Sequence, residues 1–277
     1  MPERKVNIRG LNDYLTGSLC PMPPKKYSEQ TQAILKPLPD KLTALYTGEE
    51  LLRAKALELI GLDHQLSADV DLIYYSMDLI QYFVIEHLAE DHDQETVQLL
   101  GIRLFNGLAS AFRLLTGGYF QNAALILRDL LETSFLLSYL HLHPEKISIF
   151  RTGDEKENRK IFGPSDIRKA LDKRDGFKEK KRDAAYKLLS ELAAHPTYKG
   201  FQMLAPKGKG AHCGPFIDQP TLKALIEEQV KLAVQASEAF AVFFPADKLE
   251  SIEKKLIFMT SAAEWLKNYA NPLPQSK

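Results

Sequence analysis

Five polar residues stand at helical spacing inside apolar sequence. Arg128 and Glu132 lie in one segment, and Tyr186, Ser190 and His195 in another. Residues four apart share a helix face, so Arg128 can pair with Glu132, and Tyr186 lines up with Ser190. An arginine can hold an anion or stabilise charge that develops on a phosphate. His195 stands just before Pro196, in the expected last turn of a helix, where the dipole favours its charged form and it can serve as acid, base or anion ligand. His195, Arg128 and Glu132 are therefore the candidate catalytic set. Tyr186, Ser190 and Arg128 are the candidate ligand-binding set. Each has a plain alternative. An Arg–Glu pair four apart is common and contributes little at a surface, and a histidine at a helix end often only bonds carbonyls. In a dry cleft, losing Arg128 would strand Glu132 at a cost of roughly 3–5 kcal/mol.

A second candidate is electrostatic. From Arg168 to Arg182 the chain carries eight basic and three acidic residues, a local net charge of plus five. Arg168, Lys169, Lys173, Arg174, Lys180, Lys181 and Arg182 are the side chains that would meet nucleic-acid phosphates. The alternative is a solvated face. The chain as a whole holds 36 basic and 36 acidic side chains, so its overall charge does not mark a nucleic-acid binder.

Other chemistry finds less support. His87 with Asp91, and Glu86 with Glu90, have ligand-type side chains at helical spacing, but no second cluster completes a metal site. His141 and His143 are two apart, which on a helix separates them. No metal and no cofactor is expected. Lys207-Gly-Lys-Gly210 lacks the spacing of a Walker loop. A serine nucleophile elbow, Cys-x-x-Cys pairs and a dinucleotide fingerprint are all missing. The two cysteines, Cys20 and Cys213, form no disulfide pattern and suit a reducing compartment. The first residues lack the apolar core of a secretory signal. The longest apolar runs are broken by charge before they could span a bilayer. A cytoplasmic protein with no membrane contact is expected.

The elements that must position these residues read as helices. Residues 1–40 form a proline-rich arm, since Pro21, Pro23, Pro24, Pro37 and Pro39 remove amide donors. A single helical domain is expected over 41–270, with a tail over 271–277. Its first helix spans about 41–59. A long helix from Leu66, capped by Ser67, carries Val70, Ile73, Met77, Ile80, Val84 and Leu88 in alternating steps of three and four. That seam could join two copies of the chain. Helices over about 95–116 and 119–142 follow, separated by Gly117-Gly118. The former has Val97, Leu100, Leu104, Leu108, Ala111 and Leu115 as its stripe, and Gly101 and Gly107 to admit a close neighbour. The charged segment 144–182 contains one short helix capped by Ser165. A helix over 177–194 is stopped by Pro196. A small β-hairpin or ordered loop follows over 199–217, then helices over 219–244 and 247–269. The fold class is all-α, a multi-helix bundle.

Read as Gly-Tyr-Phe-x-x-Ala-x-x-x-Leu-Arg-x-x-x-Glu, residues 118–132 resemble the signature helix of HEPN-like all-helical proteins. The later Tyr186, Ser190, His195 and Pro196 resemble a segment of some prokaryotic members. The resemblance spans about residues 66–200. It implies a helical bundle, often dimeric, that acts in prokaryotic defence, toxin–antitoxin or RNA-related systems. RNA or another anionic ligand, and a second copy packed through the long helices, are the partners it implies. HEPN ribonucleases share an arginine followed four to six residues later by histidine. No arginine here has a histidine at that distance. A binding or interaction module is therefore the leading expectation. A metal-independent ribonuclease with a divergent Arg128/Glu132/His195 site and a structural dimerisation protein are the alternatives.

Overall fold

The computed structural model describes residues 38–205 and 209–270. Most of the proline-rich arm, the tail and residues 206–208 lie outside the described residues. Contacts divide the chain into residues 1–48 and 49–277. All packing described below lies within the second unit.

The protein is an all-α bundle, and no strand occurs among the described residues. The long helices are α1 (Asp40–Leu62), α2 (His64–Ile85), α3 (His92–Thr116) and α4 (Phe120–Leu142). Shorter helices follow: α5 (Lys146–Thr152), α6 (Glu155–Ile161), α7 (Pro164–Arg174) and α8 (Lys181–Leu189). A π turn (Ser190–Ala194) and a 3₁₀ turn (Lys199–Leu204) lead to α9 (Gln219–Ala241) and α10 (Leu249–Ala270).

The core forms where α9 packs on α2, α3 and α4. The stripe predicted on α3 is wholly buried. By length and composition α3 could also cross a membrane, so charge does not interrupt every such run, but its apolar stripe packs into this core. The two helical glycines of α3 are needed for close approach. A Cβ on Gly101 would meet the Phe240 ring at 2.4 Å, and one on Gly107 would meet Leu130 at 2.8 Å. Gly118 ends the turn at φ 84°, and a Cβ there would lie 2.5 Å from the Phe216 carbonyl oxygen. Only glycine satisfies both the left-handed backbone and the contact.

Several boundaries differ from the sequence reading, each for a local reason. Asp63, rather than Ser67, caps α2, accepting from the amides of Gln65 and Leu66. Its carboxylate fits an N-cap one turn earlier. Gly163 precedes α7, with Pro164 in its first turn, so Ser165 is not the cap. Proline loses nothing there because that amide has no helical partner. The charged segment holds two further helices, α5 and α6, the latter capped by Asp154. On α2 the buried stripe runs through Leu72, Leu79 and Phe83 as well as Ile73, Ile80 and Val84, whereas Leu88 is exposed. α9 and α10 of the same chain cover that face.

Candidate functional site

α4 presents a line of polar side chains to the segment that follows α7. Gln121 donates from Nε2 to the carbonyls of Leu192 at 3.4 Å and Gly200 at 3.2 Å, fastening the π turn and the 3₁₀ turn to α4. About two and three turns further on are Arg128 and Glu132. Arg128 donates from Nε to Ser190 Oγ at 3.0 Å, and from Nη2 to Glu132 Oε1 at 3.0 Å and to the Tyr186 hydroxyl at 2.5 Å. Four of the five residues singled out from the sequence thus meet. The side chains of Arg128 and Glu132 remain 21% and 25% exposed. The site is not dry, and water screens the pair below the strength of a fully buried one.

His195 stands apart. The chain leaves α8 through a π turn, in which the His195 amide bonds the Ser190 carbonyl at 3.2 Å. His195 itself is extended, at φ −120° and ψ 147°. The physical cause is Pro196, whose ring excludes the helical region for the residue before it. The expectation that His195 occupies the last helical turn, with the dipole acting on it, is therefore corrected. It is exposed, and among the described residues no side-chain hydrogen bond or ion pair ties it to the Arg128 cluster. Pro196 already implied the extended backbone in the sequence; the π turn before it was not legible, because an α- and a π-turn share the same residues and differ only in which carbonyl each amide finds.

The basic stretch resolves into two groups. One is neutralised within the fold. Arg182 pairs with Asp172 at 2.6 Å and also with Asp175, and Arg174 pairs with Asp175 at 2.6 Å. Lys169 pairs with Asp166 at 3.1 Å, and Lys181 with Glu179 at 2.9 Å. Arg168 is only 7% exposed. It pairs with Asp183 at 3.1 Å, and its guanidinium lies 4.0 Å from the centre of the Tyr186 ring. So buried an arginine offers only its edge to the surface, less than the sequence reading supposed. The Arg174 guanidinium holds the Asp175 carboxyl below its ordinary range, with Arg182 adding to the effect. Asp183 is lowered by the hydrogen bond from Lys187, and further by Arg168.

The second group is unpaired. Lys173, Lys178 and Lys180 have no carboxylate partner among the described residues, and all three line a cleft of ≈ 590 Å³ between α7 and α8. Lys169, Lys187 and the edge of Arg168 complete its basic wall, and Asp172 and Asp183 also line it. Lys180 adopts φ 49°, the left-handed region, which is strained for a residue with a Cβ. That turn starts α8 at Lys181 instead of at 177 and sets Lys180 on the cleft. Lys178 was passed over among the nucleic-acid candidates. Its place is in the linker between α7 and α8, where the neighbouring carboxylates of Asp175 and Glu179 are taken by Arg174, Arg182 and Lys181.

No group of His, Cys, Asp and Glu suited to a metal ion occurs among the described residues. His87 packs its ring edge-on to Phe83 and Phe244. The chain matches no protein-family model, no curated protein and no solved structure. Fold and site together define it as an all-α bundle with a self-bonded polar cluster on α4 and a lysine-lined cleft beside it.

Proposed function

We propose that this chain is a HEPN-like binding module that takes an anionic ligand on the cleft between α7 and α8. RNA is the ligand the resemblance favours, in a prokaryotic defence, toxin–antitoxin or RNA-related setting. One observation carries the reading: Lys173, Lys178 and Lys180 gather around one concavity without carboxylate partners among the described residues. Neighbouring cations repel, and a polyanion relieves that repulsion while releasing its own counterions. The Arg128 cluster is less free for a ligand, because Nε and Nη2 of Arg128 already serve Ser190, Glu132 and Tyr186. The ribonuclease alternative needs His195 and Arg128 to address the same phosphate, and no contact between them supports it.

The test uses labelled single-stranded RNA in the presence of chelator. Wild-type and His195→Ala proteins should both leave the RNA intact. Wild type should bind it, and a Lys173→Glu/Lys178→Glu/Lys180→Glu variant should bind at least about tenfold more weakly. Its salt dependence should be shallower by about two units, at roughly 0.7 per lost phosphate contact on a single strand. Cleavage by wild type but not by His195→Ala would overturn the reading. So would binding that ignores the three lysines.

A further inference from the structure

α10 carries two apolar stripes, and its own chain covers one. Ser251, Phe258, Ala262 and Trp265 are buried, and α10 packs on α2. Two polar ties fix that side: Lys254 pairs with Asp78 at 2.7 Å, and Trp265 donates to Asp69 at 2.7 Å. Roughly 120° round the helix, at about 100° per residue, runs a second line of Leu249, Ile252, Leu256, Met259, Ala263 and Leu266. All six are exposed, Leu249 by 80% and Met259 by 64%. Their steps are three, four, three, four and three. A surface helix of a globular protein shows one apolar stripe. A second stripe that keeps the a and d positions of a heptad over its whole length is a coiled-coil seam.

We propose that this stripe joins two copies of the chain, with α10 packed antiparallel against α10. A two-fold axis midway between Leu256 and Met259 sets Leu249 opposite Leu266 of the second copy, Ile252 opposite Ala263, and Leu256 opposite Met259. Every layer is then apolar, a large side chain meets the small one at Ala263, and no charge is buried. Glu253 faces Thr260 across the seam, so no like charges meet. The six side chains expose on the order of 600 Å² per copy, so they can bury up to about 1,200 Å² in the pair, the lower end of specific interfaces. A self-complementary patch on a two-fold axis also closes, leaving no seam to extend into a fibre. The α2 stripe that the sequence offered for this role is occupied by α9 and α10 of the same chain. This inference stands apart from the lysine cleft, and neither depends on the other.

The experiment is light scattering of the full chain from low to high micromolar concentration. Wild type should run as a dimer. Met259→Glu and Leu256→Glu should each weaken association at least about 100-fold, since each would bury a charge in the seam. Both positions are exposed in the single chain, so the far-ultraviolet circular dichroism of both variants should match that of wild type. Leu88→Glu, an exposed leucine off α10, should leave the dimer intact. A wild-type monomer throughout the range would overturn the proposal, as would a dimer that survives both α10 variants.

Discussion

Arg128 and Arg168 lie against the same Tyr186 ring, with guanidinium carbons 4.8 Å and 4.0 Å from its centre, yet they are held in opposite ways. Arg128 is partly exposed and well bonded, reaching a hydroxyl on α8, a hydroxyl at the π turn and a carboxylate on its own helix. Arg168 is nearly inaccessible and poorly bonded: it gives one N–H to Asp183, and its Nε and Nη1 have no acceptor. Hydrogen bonds hold the first, while burial and the aromatic face hold the second. A buried donor without an acceptor costs about 1–3 kcal/mol, which offsets much of what a cation–π contact contributes. The arginine that looks more deeply committed to the fold is therefore the one whose charge the fold needs less.

The largest effect should come from the ring both arginines share. Tyr186→Ala removes two cation–π contacts and leaves two guanidiniums without the ring between them. We expect a loss of about 3 kcal/mol in urea unfolding, near the lower end of aromatic truncations because Tyr186 is half-buried. A loss below 1 kcal/mol would show that the ring does not organise the pair.

Arg128→Met should cost about 2 kcal/mol, because Glu132, Ser190 and the Tyr186 hydroxyl lose their common donor while still partly hydrated. Arg168→Met should cost less than about 1 kcal/mol, since removing the unpaired donors compensates for the lost stacking. The two thermal melts measured side by side decide the comparison. If Arg168→Met proves the more damaging, the roles assigned to bonding and burial are reversed.

The smallest effect is on pH dependence. Asp175 and Asp183 both titrate below the ordinary 3.8. A depressed carboxyl stabilises the fold above its unfolded value and loses that contribution as pH falls through the folded one. Acid should therefore loosen the α7–α8 pairing below about pH 4. Asp183→Asn should flatten that part of the stability profile, and an unchanged profile would remove Asp183 from the account.

Much of the fold was legible because it follows from periodicity. The α3 stripe from Val97 to Leu115 is buried at every predicted position, and the need for Gly101, Gly107 and Gly118 is met by close contacts in each case. The partnership of Arg128 with Glu132 was legible too, because a spacing of four on one helix is a local matter. Their meeting with Tyr186 and Ser190 could be suspected from matched spacings. It required α8 to dock on α4, which no local pattern dictates.

What the sequence determined by itself was the long helices and most of their inward faces, since backbone sterics and the helical period act over a few residues; the short helices α5 and α6 and the start of α8 were not among them. Pro196 also determined that no helix could hold His195, although the consequence emerges only with the π turn in view. The tertiary structure decided which charges in the basic stretch are spent. Arg168, Arg174 and Arg182 found carboxylates on neighbouring turns, while Lys173, Lys178 and Lys180 did not. It likewise decided which of two heptad-like stripes meets solvent, covering that of α2 and leaving that of α10 exposed. Composition counts charges and apolar residues. Their partners depend on distances between helices, and those are set only when the core packs.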